Sequence, residues 1–300
     1  MDVYNFNGDC VQVTSTLSHN QAENFEANHV STNRCGVNGL TVTFTTDVTL
    51  HAFFSELSAG YCLRNIGSII LADEFSDFSN CSAGSIYVTG SGANPVATAG
   101  MRLSNANVTS NGPSAGGPSA HGGIVVQGYD STNAICYVAS LQLQNVAIIP
   151  GAGNPNGLLD AIHLEDVGSG IGGSTDINHT FILSSGGATP YRYGLYSKFI
   201  NCGGQSISFT DNFFSPLSSY GSGFMSLNNS EVFLRDNAFN GVFGLTDASF
   251  PTAGVMPGSR MYCTDCKNVA NDSATAGMAC TGTGFHGAPA TFEFGQWNCN

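Results

Sequence analysis

The densest run of reactive side chains lies in two segments, "DAIHLED" from Asp160 to Asp166 and "YRYGLYSK" from Tyr191 to Lys198. Cleavage of a glycosidic bond takes two carboxyl groups, about 5 Å apart for retention and ~6.5–9.5 Å apart for inversion. Asp160 with Glu165, or Glu165 with Asp166, can span either distance. These three are the candidate catalytic residues. His163 lies between them and would shift a neighbour's pKa up or down according to its own charge. Rings stack on sugar faces, and carboxylates and guanidinium groups exchange hydrogen bonds with hydroxyls. His163, Arg192, Tyr193, Tyr196 and Lys198 are therefore the candidate substrate-binding residues. A plainer alternative makes Glu165 and Lys198 a surface ion pair, worth under ~1 kcal/mol.

Other clusters are weaker. His179, Asp211, Arg235 and Asp236 form a second group that reads equally well as turn chemistry. Cys263, Cys266, Cys280 and Cys299 could give four thiolates to a tetrahedral zinc, although a second Cys-x-x-Cys is missing. Two disulfides, or free thiols, are the competing readings. The first six cysteines, Cys10, Cys35, Cys62, Cys81, Cys136 and Cys202, are scattered. Several lie in apolar runs such as "AICYV" and "GYCLR", where a free cysteine acts as a small hydrophobe. That reading is preferred to a disulfide framework. His19, His29, His51, His121 and His286 are isolated and read as structural or solvent-facing. "GSGIGG" at Gly168 joins no strand to a helix, so it is no dinucleotide loop, and no nucleophile elbow is expected. No cofactor is expected.

What positions the candidate site is a repeat. "GIVVQ" at Gly123, "AIHLED" at Ala161, "GLYSKF" at Gly194 and "GFMSLN" at Gly223 align on Ile124, Ile162, Leu195 and Phe224, at spacings of 38, 33 and 29 residues. A second register aligns Leu143, Ile177, Phe209 and Leu234. Apolar and polar residues alternate, so each segment is a strand with one face inward. No segment has sustained helical periodicity. A single unit cannot bury its apolar face, but stacked units share a core. The expected fold is all-β, a right-handed parallel β-helix over residues 1–250 with a small cysteine-containing cap over 251–300. Roughly ten rungs at ~4.8 Å would make a rod of about 50 Å. In the first register Ile162, Leu195 and Phe224 point inward. His163, Tyr196 and Met225 should then form one outward column, with Glu165 and Lys198 in the next. The "DN" pairs at Asp211 and Asp236 should be turns, their asparagines left-handed and bonded to the turn above.

Composition agrees. Of 300 residues 42% are hydrophobic and only 10% charged, with 38 glycines. That excludes disorder and fits many short strands. A net charge of −13 with 8 Lys+Arg argues against nucleic acid and anionic membranes. It leaves neutral or cationic ligands, or a local basic spot. No apolar run reaches membrane-spanning length. "MDVYNFNGDC" reads as mid-structure and not as a signal peptide. It points to a recombinant fragment or to attachment elsewhere through a short N-terminus. Five N-x-S/T sequons start at Asn80, Asn107, Asn178, Asn228 and Asn271; they matter only if a eukaryote secretes the chain.

From Gly84 to Gly241 these rungs, above all "GLYSKF…SFTDNFF" and "GFMSLN…FLRDNAF", resemble the pectate-lyase-type parallel β-helix group, and more narrowly the β-helical tailspikes of bacteriophages. The tail, with "YCTDC", "CTGTG" and "WNC", is similar to C-terminal tails of some phage and bacterial surface β-helix proteins. The calcium-binding aspartates and catalytic arginine of the pectate lyases have no counterpart here, which weighs against lyase chemistry. The "DGVTDDTAAI"-like stretch that usually precedes a tailspike's first rung is also missing. The resemblance implies a homotrimer on a virion tail, outside the cell, joined to a tail or baseplate adaptor protein through its N-terminus. It also implies recognition of host cell-surface polysaccharide and its degradation, with a hydrolase favoured over a lyase. A non-catalytic adhesin and a secreted polysaccharide lyase or hydrolase are the alternatives.

Overall fold

The structure, a computed structural model, describes residues 1–15, 24–45, 47–90, 99–110, 122–130, 134–136, 139–151, 159–167, 175–183, 191–202, 206–214, 225–228, 231–239, 250–251, 253–270, 272, 276–284 and 286–300. Among them there is no helix. Three ladders of parallel strands account for the strands up to Phe239, apart from a short antiparallel pair, Tyr129–Asp130 with Ile135–Cys136. The first runs through Phe25–Asn28, Val48–His51, Ile69–Asp73, Thr175–Asn178, Ser206–Thr210 and Glu231–Arg235. The second runs through Asp2–Tyr4, Ser31–Asn33, Phe54–Glu56, Asp77–Ser79, Phe181–Ile182, Phe213–Phe214 and Ala238–Phe239. The long strands Ala99–Ser110 and Ala139–Pro150 serve both, one half each. The third holds Val11–Thr14, Leu40–Thr43, Tyr61–Ile66, Gly84–Thr89, Gly122–Gln127, Asp160–Glu165, Leu195–Lys198 and Met225–Asn228. The chain visits the ladders in the same order on each pass. This all-β arrangement of long parallel sheets is compatible with a parallel β-helix. No helix among the described residues is long and apolar enough to cross a membrane.

The inward columns follow from the alternation. Leu143, Ile177, Phe209 and Leu234 stand directly opposite one another, and all are buried. On the third ladder Ile124, Ile162 and Leu195 also align as the spacing requires. The next rung does not. Met225 faces Leu195, and Ser226 faces Tyr196. Met225 therefore belongs to the inward set, and Ser226, not Met225, extends the outward column. Phe224 lies outside the described residues, as do His19, His121 and the "GSGIGG" segment.

Between the first and second ladders the chain turns on a left-handed residue in each rung, and in one rung Phe75, after Glu74, is left-handed as well. His29, Ala52, Glu74, Asn105, Asn145, His179, Asp211 and Asp236 have φ between 47° and 54°. None is glycine, and asparagine, aspartate and histidine tolerate this conformation best. The expected roles within each Asp-Asn pair are exchanged. The aspartate takes the left-handed turn, and the asparagine after it points inward. Asn212 is 1% exposed and Asn237 3%. Asn212 Oδ1 accepts from the Thr180 N–H at 2.9 Å, and its Nδ2 donates to the Ile177 carbonyl at 2.9 Å. Asn237 Oδ1 in turn accepts from the Asn212 N–H at 3.0 Å, and its Nδ2 donates to the Phe209 carbonyl at 3.0 Å. Asn212→Ala strips partners from buried backbone groups and is expected to cost about 1–3 kcal/mol. Asp211→Asn, one residue earlier, should change stability by less than about 0.5 kcal/mol. Urea midpoints of the two variants check this contrast. His179, Asp211, Arg235 and Asp236 thus lie at or beside this corner. Arg235 and Asp236, 3.7 Å apart, are largely exposed.

The ten cysteines form five disulfides: Cys10–Cys35, Cys62–Cys81, Cys136–Cys202, Cys263–Cys266 and Cys280–Cys299. This corrects the reading of the first six as free apolar side chains. Their Cα atoms lie 5.5, 5.5 and 5.8 Å apart because passes of the chain distant in sequence come together, within bridging range.

After Phe239 the ladders give way to an antiparallel unit. A sheet of Arg260–Cys263, Ala288–Glu293, Gln296–Cys299 and Met278–Ala279 follows. Trp297 packs on Phe250 and Phe292, and its indole N–H donates to the Pro251 carbonyl at 2.7 Å. The sheet is joined to the first ladder by a Val232–Val255 bridge and by the Ser259 hydroxyl, which accepts from the Leu234 N–H. Its hairpin turns on Phe294 and Gly295, both with positive φ, and Phe294 is 96% exposed. Such a two-residue turn favours Asn-Gly. Phe294→Asn should raise stability by roughly 1 kcal/mol, read as an increase in Tm.

Candidate functional site

The third ladder carries the candidate residues. Its outward columns are fixed by register. One runs Arg64, Tyr87, Val125, His163, Tyr196, Ser226, and the next runs Ile66, Thr89, Gln127, Glu165, Lys198. Asp160 begins its strand opposite Gly122. A Cβ at Gly122 would lie 2.7 Å from the Asp160 carbonyl, so the strand starts can approach this closely only because position 122 lacks a side chain.

Asp160, His163 and Arg192 come together as one unit. Asp160 is completely buried. Arg192 donates to both its oxygens, from Nε at 2.9 Å and from Nη2 at 2.7 Å. His163 Nδ1 lies 2.7 Å from Asp160 Oδ2, and His163 Nε2 lies 3.2 Å from Glu165 Oε1. The imidazole therefore stands between two carboxylates. Burial works against its charged form, but the hydrogen bonds to Asp160 and Glu165 outweigh that, and the His163 pKa is raised. The hydrogen bonds that Arg192 donates to Asp160 likewise raise its own pKa.

Arg192 is placed from inside the fold. Tyr191, next to it, is buried, and its hydroxyl lies 2.6 Å from Ser110 Oγ. The Arg192 N–H donates to the Leu159 carbonyl, which sets the side chain beside Asp160. The guanidinium then lies 5.2 Å from the ring centroids of both Tyr193 and Tyr196. Tyr196 stacks on His163 with centroids 4.5 Å apart. His163 thus occupies the outward column yet is only 2% exposed. Facing outward from the strand did not expose it, because side chains of the next rung cover it.

Asp166 sits elsewhere. It takes a left-handed corner at φ 50°. Its Oδ1 accepts the N–H groups of Ile200, Asn201 and Cys202 at 2.7, 2.9 and 3.2 Å, and its Oδ2 accepts from Asn201 Nδ2 at 3.0 Å. These bonds hold the segment that the Cys136–Cys202 disulfide ties down. Its oxygens are occupied in shaping that loop. Glu165, by contrast, is half-buried, with 27% of its side chain exposed, and Lys198 stands opposite it in the next strand.

Four residues of this surface were missed in the sequence: Tyr61, Arg64, Tyr87 and Gln127. Tyr61 stacks on Tyr87 with centroids 5.0 Å apart, and the Tyr87 hydroxyl donates to Gln127 Oε1 at 2.7 Å. Burial raises the Tyr87 pKa; the Glu165 charge adds to this, and Arg64 opposes it. For Arg64, Tyr87 and Gln127 the signal was the same outward parity in "YCLRNI", "GSIYVT" and "GGIVVQ", the preceding strands of the ladder; Tyr61, which starts its strand opposite Gly84, has the other parity and carried no such signal. The result is a strip of half-buried tyrosines with basic, amide and carboxylate groups between them. Tyr87 and Tyr196 lie three strands apart, about 14 Å.

The four C-terminal sulfurs are paired as disulfides and so offer no thiolate in this state. His51 and His286, read as isolated, have carboxylate partners. His51 Nδ1 lies 2.6 Å from Asp73 and 3.9 Å from Glu74, and His286 lies 3.1 Å from Asp272. The hydrogen bond with Asp73 raises the His51 pKa. On the first ladder two adjoining shallow cavities, of about 230 Å³ each, share Arg102 and Gln142. Gln144, Asp176 and Asn178 continue that groove. It lacks the convergent titratable groups of the tyrosine strip. Compared with known proteins, the chain matches no family model, no curated relative and no solved structure, so the geometry of the third ladder carries the functional reading.

Proposed function

We propose that this chain is the receptor-binding module of a bacteriophage tailspike or tail fibre, a right-handed parallel β-helix that binds and degrades host cell-surface polysaccharide on its third ladder. The observation that carries the reading is the tyrosine strip with Glu165 in its middle. Ring faces for sugars, amide and cationic donors for hydroxyls, and a carboxylate with solvent access meet on one rigid surface. Asp160, Arg192 and His163 position the site from beneath. Asp166 shapes the loop beside it. Glu165 is then the acid–base group, with Tyr87, Tyr196 and Lys198 around it. The burial of Asp160 weighs against two-carboxylate hydrolysis through the Asp160–Glu165 pair. In the full particle the module is a homotrimer, threefold packing of broad flanks being a closed symmetry open to such a rod, attached to a tail or baseplate adaptor at its N-terminus.

A non-catalytic adhesin is the second reading. The first-ladder groove favours it, because Arg102, Gln142, Gln144, Asp176 and Asn178 bind hydroxyls without supplying an acid–base pair. The test is incubation with surface polysaccharides of candidate hosts, following reducing ends and ultraviolet absorbance of new double bonds. Reducing ends alone mean hydrolysis, and new absorbance means elimination. Binding without either, on the polysaccharide of a susceptible host, overturns the enzyme and leaves the adhesin.

A further inference from the structure

We infer that Cys263, Cys266, Cys280 and Cys299 form a tetrathiolate zinc site when the two C-terminal disulfides are reduced. The sulfurs of Cys263, Cys266 and Cys299 all lie within 4.8 Å of one another, and Cys280 is bonded to Cys299. The two bridges therefore form one four-sulfur cluster. Thiolates around one zinc, at about 2.3 Å each, stand a little under 4 Å apart, so Cys263, Cys266 and Cys299 need only small rotations, and Cys280, released from Cys299, swings in as the fourth ligand.

In the folded cap, backbone contacts besides the S–S bonds bring these cysteines together. Cys263 and Cys266 are fully buried. The Lys267 N–H donates to the Thr281 carbonyl and the Gly284 N–H to the Asp265 carbonyl, which clamps the Cys-x-x-Cys turn against the segment after Cys280. That segment passes so close that a Cβ at Gly284 would lie 2.1 Å from the Cys266 carbonyl, and one at Gly287 would lie 2.7 Å from the Cys263 carbonyl. Cys299 is placed by the antiparallel pairing of its strand with Ala290 and Met278.

The Cys263–Cys266 bridge also does little as a cross-link. It closes a sequence separation of 3, against 25, 19 and 66 for the disulfides outside the cap. Stabilisation by loop closure grows with loop length, so this bridge constrains the unfolded chain least. Cys-x-x-Cys is, however, the spacing by which one turn gives two ligands to zinc. The cap, a four-stranded sheet with a small core, needs a staple in either redox state.

The conversion balances as follows. A phosphine reductant and water turn each disulfide into two thiols, the phosphine leaving as its oxide. Zinc then displaces the four thiol protons to solvent. In a cell a dithiol supplies the same electrons.

The experiment uses the whole chain, reduced with a water-soluble phosphine, then given Zn²⁺ or Co²⁺. Trp297, the one tryptophan of the chain, packs in the cap and reports its fold. The expected result is a red shift of its emission on reduction, reversed by Zn²⁺, with one zinc retained per chain after gel filtration. Co²⁺ should give the intense visible bands of a tetrahedral thiolate site. Cys280→Ser should abolish retention of the metal, while the Cys10→Ser, Cys35→Ser double variant keeps it. No metal bound by the reduced chain overturns the proposal. So does undiminished binding in Cys280→Ser, or loss of binding only in the Cys10, Cys35 variant. If reduction leaves Trp297 unshifted, the cap is still folded, and metal stoichiometry alone decides.

Discussion

Asp160→Ala is expected to cost about 3 kcal/mol of folding stability, the toll of removing one partner from a buried charge cluster. Asp160 is wholly buried and accepts two hydrogen bonds from Arg192 and one from His163. Without the carboxylate, the guanidinium loses its counter-charge under two tyrosine rings. It keeps partial access to water, with 31% of its side chain exposed, which holds the cost to the lower part of the usual range. Asp160→Asn should cost less, because the amide oxygen can still accept from Arg192. The pH dependence separates the two contributions. The His163 pKa is raised in the folded state. Its stabilisation is therefore complete below the unfolded value near 6.5 and is lost as pH rises through the higher folded value. Asp160→Asn lowers that folded pKa. The stability gap between wild type and Asp160→Asn should then be wider at about pH 5.5 than at about pH 8.5. Urea unfolding at the two pH values measures it. A gap that is the same at both would mean that His163 is not held charged by Asp160.

The strand ladder was legible because period-two alternation and a repeated segment are local properties. Leu143, Ile177, Phe209 and Leu234 could be aligned without knowing what joins them. Met225 could not be placed the same way. Its segment was aligned on the preceding glycine, but loops between rungs differ in length, and a slip of one residue turns every side chain to the other face. The burial of His163 was hidden for a different reason. Parity along a strand says which way a side chain points, but Tyr196 and Arg192, from the next pass of the chain, decide whether water reaches it. The same distinction explains Asp166, which sits in an acidic run in the sequence but at a corner in space. The disulfides depend on which turns stack, and nothing local to "GYCLR" or "AICYV" reveals that.

Glu165→Gln is expected to lower polysaccharide degradation by about 10²–10⁴-fold, the usual contribution of a positioned acid–base group, with little loss of ligand binding. The substitution keeps size and hydrogen-bonding capacity but removes the charge and the transferable proton. Of the three carboxylates in "DAIHLED", Glu165 is the one with substantial exposure. Asp160 lies sealed beneath His163, and Asp166 is committed to three backbone N–H groups. A substrate lying along the tyrosine strip would pass over Glu165 between Tyr87 and Tyr196. Asp166→Asn should act in the opposite sense. It weakens the hydrogen bonds that order Ile200 to Cys202 and so lowers Tm, while the rate per folded molecule stays within about threefold, since a surface loop tolerates such a change better than a reacting group does. Glu165→Gln also removes one of the two carboxylates that hold His163 charged, so any alkaline limb of the wild-type pH–rate profile set by His163 should move to lower pH in an Asp166→Asn, Glu165→Gln comparison only when Glu165 is changed. Initial rates and isothermal titration on both variants decide the matter. If Glu165→Gln degrades polysaccharide at the wild-type rate, the acid–base group lies elsewhere. If it binds and the wild type also fails to degrade, the tyrosine strip is an adhesive surface and Glu165 serves only to hold His163.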